Sequence, residues 1–387
     1  MKLPVYLDNN ATTPCDPRVV EAMLPWFTEK FGNAASSSHY YGWEAEDAVK
    51  TAREQVALCI GAQPKEIIFT SGATEGDNLA LKGIFEMYSG KGNHIITVQT
   101  EHKAVLDSCR HLEERGARVT YLGVDKSGFI NLEELEAAIT PQTILIAIMY
   151  ANNETGVIQP VSEISAIAKK HRIIFFSDAT QAVGKTPVNV IADGIDLMAL
   201  SAHKLYGPKG LGALYVRRRD PRVRLVAQMN GGNHEMGMRS GTLNVPGIVG
   251  LGKACELAAA AMSAEMKSIA ALRDYLEESL VQLGGCTRNG SAASRLPQVT
   301  NLQFANCLGS ELMIHLSKHI AVSSGSACSS VSPEPSHVLI AMGLTEKEAH
   351  SSLRFSLGRF TTREELEYAI PKIRAEVEQL RGILIKG

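Results

Sequence analysis

Five near-continuous apolar runs constrain this chain more than any other feature: EIIFT (66–70), HIITVQ (94–99), TILIAIMY (143–150), IIFFSD (173–178) and DLMALS (196–201). Runs of this length without polar alternation are strands covered on both faces. Helical patterns separate them, and Asn131 followed by Glu134 resembles a capping pair opening the helix LEELEAAI. Covered strands alternating with helices predict an α/β fold with a mostly parallel central sheet. A long amphipathic pattern near 255–285 breaks the alternation and reads as a helix linking two domains. Mixed strands, a Ser/Gly-rich segment at 323–333 and a terminal helix around 362–382 follow it. A chain of 387 residues exceeds one comfortable core. The expected division is a large domain over 16–258 and a smaller α+β domain built from 1–15 plus 259–387.

A formal net charge of -2 gives no overall pull toward nucleic acid or an acidic membrane. The start, MKLPVYLDNNATTP, has neither the apolar centre of a secretion signal nor an Arg/Ser-rich targeting face. No apolar run approaches the roughly 18 residues of a spanning helix, so a cytoplasmic protein is expected. The 7 cysteines form no CxxC pair and their number is odd, so neither a disulfide framework nor a metal site is indicated. Most read as small buried hydrophobes. Cys328 differs, because its surroundings from Val322 to Val331, VSSGSACSSV, are polar and glycine-bearing.

In an open α/β sheet, ligands sit outside the carboxyl ends of the strands. The residues after each run are therefore informative. They are Ser71-Gly72-Ala73-Thr74, Thr100-Glu101-His102, Asn152-Asn153-Glu154, Ser177-Asp178-Ala179-Thr180-Gln181 and Ser201-Ala202-His203-Lys204. All five runs deliver polar side chains to one edge. Taken singly, Gly72 and Thr74 could be turn and cap residues, or part of a phosphate cradle at a helix start. His102 alone could be structural. Asp178 needs a partner if it lies at a buried strand end. Lys204 could snorkel to water, and Lys209 in GPKG rivals it for any catalytic role.

A lysine, a carboxylate and an anion site together fit pyridoxal phosphate, which needs a Schiff-base lysine, an acid for its ring nitrogen and a phosphate cup. GxGxxG after the first strand, GxxxxGK[ST], HExxH and GxSxG are all missing, so nicotinamide, P-loop, zinc-protease and hydrolase-elbow readings lack their motifs.

The chain resembles the cysteine desulfurases of the IscS/NifS type, within the aspartate-aminotransferase-like family of pyridoxal-phosphate proteins (fold type I). The likeness runs from YLDNNATTP (6–14) to SSLRFSLGRFTT (351–362). Between them lie FTSGATEGDNLALKG, TEHKAVLDSC, ANNETGVIQP, SDATQAVGK, SAHKLYGPKG, GMRSGT and SSGSACSS. The resemblance implies that Lys204, not Lys209, binds the cofactor covalently, that Asp178 holds the ring nitrogen and that His102 stacks on the ring. Asn153 and Gln181 would reach the region of the ring oxygen, with Asn153 also near substrate. Ala73, Thr74, Ser201 and His203 would bind the phosphate, and Thr242 from a partner subunit would complete that cup, which implies a homodimer. Arg354 would clamp the carboxylate of L-cysteine, where a bidentate guanidinium suits the geometry.

Cys328 would attack the substrate sulfur as a thiolate, leaving L-alanine and a persulfide, with His102 as acid/base. The persulfide would pass to acceptors serving iron–sulfur assembly or tRNA thiolation. The basic cluster Arg217, Arg218, Arg219, Arg222 and Arg224 is either a solvated strand end or a docking patch for acidic sulfur-relay partners. Three positions depart from the family pattern: Gly76, Met236, and a chain that stops at Lys386-Gly387, where members that dock the iron–sulfur scaffold carry a tail. A selenocysteine lyase-like enzyme and a non-catalytic cofactor-binding scaffold are the alternative readings.

Overall fold

The computed structural model describes residues 2–324 and 334–386. All five apolar runs become strands of one seven-stranded sheet, ordered Ile67–Thr70, Gly212–Val216, Leu197–Ser201, Ile174–Asp178, Thr143–Ala147, His94–Val98, Arg118–Leu122. Gly212–Val216 runs antiparallel to both neighbours, and the other pairings are parallel. Two of the seven were not anticipated. Arg118–Leu122 sits at an edge with most of its residues only partly buried, so RVTYL never shows an apolar run. Gly212–Val216 is fully buried but short, and it follows a glycine-rich turn.

Alternate residues of each strand feed two separate cores, as the period of two in a strand requires. Ile67, Phe69, Ile96 and Phe175 pack on one side with Val49, Val56, Ile248 and Leu251. Ile68, Ile95, Leu145 and Phe176 pack on the other with Leu79, Ile84, Val105 and Leu112. Helices thus cover both faces, and the strand ends remain the open edge.

The linking helix spans Val245–Val281 and begins well before the expected 255. Pro246 occupies its first turn, and Asn244 caps it by accepting the Gly247 N–H at 3.1 Å. Glycines obscure this first stretch in the sequence. They are there because the helix lies close against Tyr40–Cys59: a Cβ on Gly252 would stand 2.6 Å from the Ala52 Cα. By length and apolarity this helix could cross a membrane, but half of its most apolar window is buried within the fold, as in a core helix.

Beyond it, Ser352–Ser356, Val299–Phe304 and Cys286–Asn289 form a small antiparallel sheet, backed by the terminal helix Arg363–Lys386. A third core of Leu7, Leu302, Phe304, Phe355 and Ile373 lies there. The N-terminus joins this region: Val5–Tyr6 pairs in parallel with Ile320–Ala321, and Asp8 bridges to Ser356.

Candidate active site

The open edge of the large sheet encloses a cavity of about 560 Å³. Ala73, Thr74, His102, Asn153, Asp178, Gln181, Ser201, His203, Lys204 and Arg354 all line it. All ten were singled out in the sequence, and the fold brings them to one cavity. Thr242 does not line the cavity of its own chain; it stands exposed on the loop before the long helix. Cys328 lies outside the described residues.

One wall is the start of the 16-residue helix Ala73–Tyr88. Gly72 caps it without a side chain, and a Cβ built there meets nothing within 4 Å. An uncapped helix start facing open space is an anion site, since N–H groups and the helix dipole point into it. Ser201 and His203 reach the same cavity from the end of Leu197–Ser201, two strands away in the sheet. The His203 imidazole contacts Thr12 Oγ1 at 3.1 Å. Burial, then the charges of Lys204, Lys209 and Lys185, push its pKa down to about 4. His203 is therefore a neutral ring that can serve an anion as a hydrogen-bond donor.

Lys204 ends the short helical turn Ala202–Lys204, and its Nζ donates to the carbonyls of Asn10 at 2.8 Å and Ala11 at 2.5 Å. Lys209 also borders the cavity but is exposed, at the rim. Asp178 closes its strand and accepts the Thr180 N–H at 2.9 Å. His102 caps the helix Lys103–Glu113 by accepting the Ala104 N–H on Nδ1 at 3.2 Å. Burial lowers its pKa; Asp178 opposes that shift, while Lys204 and His337 add to it. The ring is neutral with its proton on Nε2, because Nδ1 is the acceptor.

Sequence reasoning missed several members. Asn10 is the hub: its backbone oxygen accepts from Lys204 and from Gln181 Nε2 at 2.9 Å, and its side chain donates to the Asn153 oxygen at 3.0 Å. The signal was present, since DNNATT is itself a polar cluster after an apolar pair. His337 lines the cavity too, with Nε2 donating to the Glu101 oxygen at 3.0 Å. Ser336 donates to the buried Glu154 carboxylate at 2.6 Å, whose pKa burial raises. Lys185, buried behind the wall, donates to Gln181 Oε1 at 2.9 Å. Near Asp178, Asp77 is buried, and neither of its oxygens accepts a hydrogen bond among the described residues. Burial, then Asp178 and Glu101, hold its carboxyl well above the usual range.

Arg354 is 1% exposed; its Nη2 meets Asp8 Oδ1 at 2.7 Å and its Nη1 donates to the Asn153 oxygen at 3.1 Å. The basic cluster is less uniform than expected. Arg217 is half-buried, paired with Asp196 at 3.3 Å and bonded to the Ile195 oxygen, whereas Arg219, Arg222 and Arg224 are exposed.

The donor set suits one group. An open anion site, a carboxylate and an amine converge on one cavity, matching the phosphate, ring nitrogen and aldehyde of pyridoxal phosphate. The profile of the Aminotransferase class-V family matches residues 5–369. The protein named Cysteine desulfurase IscS of Anaeromyxobacter dehalogenans (strain 2CP-C) is 56% identical over 382 residues, covering 98% of this chain and 94% of its own. A solved NifS-like protein superposes with a TM-score of 0.91 at 40% identity, covering 97% of this chain and 100% of its own. A structure described as SspA in complex with cysteine superposes with a TM-score of 0.81 at 39% identity, covering 92% of this chain and 100% of that one. The chain belongs to the class-V aminotransferase family, on its IscS/NifS branch of cysteine desulfurases.

Proposed function

We propose that the cavity is the active site of a pyridoxal-phosphate-dependent cysteine desulfurase, which converts L-cysteine to L-alanine and a persulfide on Cys328. The observation that carries this reading is the meeting of Lys204, Asp178 and the uncapped start of Ala73–Tyr88 in one cavity with Arg354. Ala73, Thr74, Ser201 and His203 would hold the phosphate, Asp178 the ring nitrogen, and Asn153 and Gln181 the edge with the ring oxygen. When bound, the cofactor supplies an electron sink that makes the α-proton of cysteine labile. Lys204, whose amine the Asn10 and Ala11 carbonyls hold, would move that proton. Arg354 orients the substrate carboxylate. His102 offers its Nε2 proton over the ring face. Cys328 takes the sulfur as a thiolate.

The test is incubation with L-cysteine and a reductant, with alanine and sulfide both measured. Cys328→Ser should keep the yellow cofactor and lose sulfide release, and Lys204→Ala should lose both products. Sulfide release from Cys328→Ser at the parent rate would refute the persulfide assignment.

The same reading extends to partners. Phe31 and Tyr40 are 64% and 67% exposed, and Phe27 and Trp43 are exposed as well, all on the helices Pro25–Thr28 and Tyr40–Cys59 and the connection between them. An apolar face of this kind suits a second copy of the chain, whose Thr242 would complete the phosphate cup. Arg219, Arg222 and Arg224 suit an acidic sulfur acceptor serving iron–sulfur assembly or tRNA thiolation. The working division is 16–258 for cofactor binding and 1–15 with 259–387 for the smaller domain. We place the protein in the cytoplasm, where its thiols stay reduced.

A further inference from the structure

Lys185 does not line the cavity, yet it bears on the residue that does. It is buried, and the bond to Gln181 Oε1 at 2.9 Å is the only hydrogen bond of its Nζ among the described residues. The charges that bear on it most, Lys204 and Arg354, are both cations, and the one further titratable group it influences among the described residues, His203, is neutral. A buried amine facing cations is an expensive way to fill space, and an aliphatic side chain would fill it without that cost. Its use therefore lies in what it donates to.

An amide side chain has one accepting edge and one donating edge. Gln181 turns its Oε1 to Lys185 and its Nε2 to the Asn10 oxygen at 2.9 Å. The reversed amide would set Oε1 against the Asn10 carbonyl, two acceptors face to face, and would leave Lys185 without an acceptor. The backbone carbonyl and the lysine thus fix the amide jointly, from opposite ends.

We propose that Lys185 is a positioning residue for Gln181, holding the amide so that its N–H edge, not its carbonyl, faces the cofactor's ring oxygen. This rests on the pyridoxal-phosphate reading of the cavity. A donor to that oxygen favours the more negative form of the bound cofactor, so its loss raises the pH at which the cofactor's visible absorption changes.

The experiment is a pH titration of the visible band of the holoenzyme without substrate. Lys185→Met should raise the midpoint by about one pH unit, the size of one hydrogen bond to a charged acceptor. Lys185→Gln keeps an N–H donor and should titrate like the parent. A Lys185→Met midpoint equal to the parent's overturns the proposal, and so does a Lys185→Gln midpoint shifted upward. The second variant decides the matter alone if the first fails to fold. Failure of the parent to bind the cofactor would instead refute the reading of the cavity.

Discussion

Replacing Arg354 with glutamine removes one charge and most of a fork of donors while keeping a neutral N–H near the Asn153 oxygen. The native guanidinium spans Asp8 at 2.7 Å and the Asn153 oxygen at 3.1 Å, and it borders the cavity. Hydrogen bonds to charged groups contribute ~1.5–3 kcal/mol each, so a two-pronged contact with the substrate carboxylate represents ~3–6 kcal/mol. Glutamine keeps one donor to the charged carboxylate, ~1.5–3 kcal/mol. The remainder, ~1.5–3 kcal/mol at about 1.4 kcal/mol per tenfold, predicts a loss of about 10-fold to 150-fold in kcat/KM for L-cysteine. The loss should fall mainly on KM, because the carboxylate is held equally before and during the reaction. Alanine formation measured over a range of cysteine concentrations gives both constants, and the visible spectrum shows that the cofactor is still bound. A KM within about threefold of the parent, with cofactor intact, would refute the carboxylate clamp. Denaturation by urea should show a separate, smaller loss of ~1–3 kcal/mol, since Asp8 gives up its partner but retains some contact with water.

Asp77→Asn tests the buried carboxyl near Asp178. Its pKa is raised in the folded chain, so the folded state keeps a proton that the unfolded chain has already lost. Stability is therefore lost as pH rises from the unfolded value of about 3.9 toward the folded one, by up to ~1.4 kcal/mol per unit. Asparagine does not titrate, so the variant's urea midpoint should gain on the parent's as pH rises above the unfolded value of about 3.9; parallel pH profiles would sink the argument. For the exposed aromatic face, Tyr40→Glu with Trp43→Glu should convert a sedimenting dimer into a species of 41.8 kDa. A parent that already sediments as a monomer at micromolar concentration would remove the shared-site reading.

The strand ends were legible because five buried runs announce themselves by composition, and whatever follows such a run must emerge at the open edge. Thr74, His102, Asp178, Ser201 and Lys204 were found that way and do line one cavity. Asn10 was missed because Val5–Tyr6 has only two residues, too short to read as a strand, and its parallel partner Ile320–Ala321 lies over three hundred residues away. His337, which lines the cavity, and Ser336, which bonds Glu154, were missed for a similar reason: they sit at the start of the short helix His337–Ala341 rather than at a strand end. The long helix was placed late because glycines demanded by close packing, such as Gly252 against Ala52, imitate a loop. Lys185 gave no signal, since one lysine after a glycine is ordinary until its burial is known. The family motifs supplied roles that spacing alone left open, above all the choice of Lys204 over Lys209.

Asn10 also ties the site to the closing of a long loop. Its side chain accepts from Gln298 at 3.1 Å and its backbone N–H donates to Ser356 Oγ at 2.8 Å, partners 288 and 346 residues further along the chain. Asp8 likewise pairs with Arg354. Closing so long a loop comes late in folding. A folding chain can therefore hold the large sheet, and the contacts of Asn10 with Asn153 and Gln181, while the contacts with Gln298 and Ser356 are still missing. The carbonyls that steer Lys204 are held from both sides only once the smaller sheet has docked.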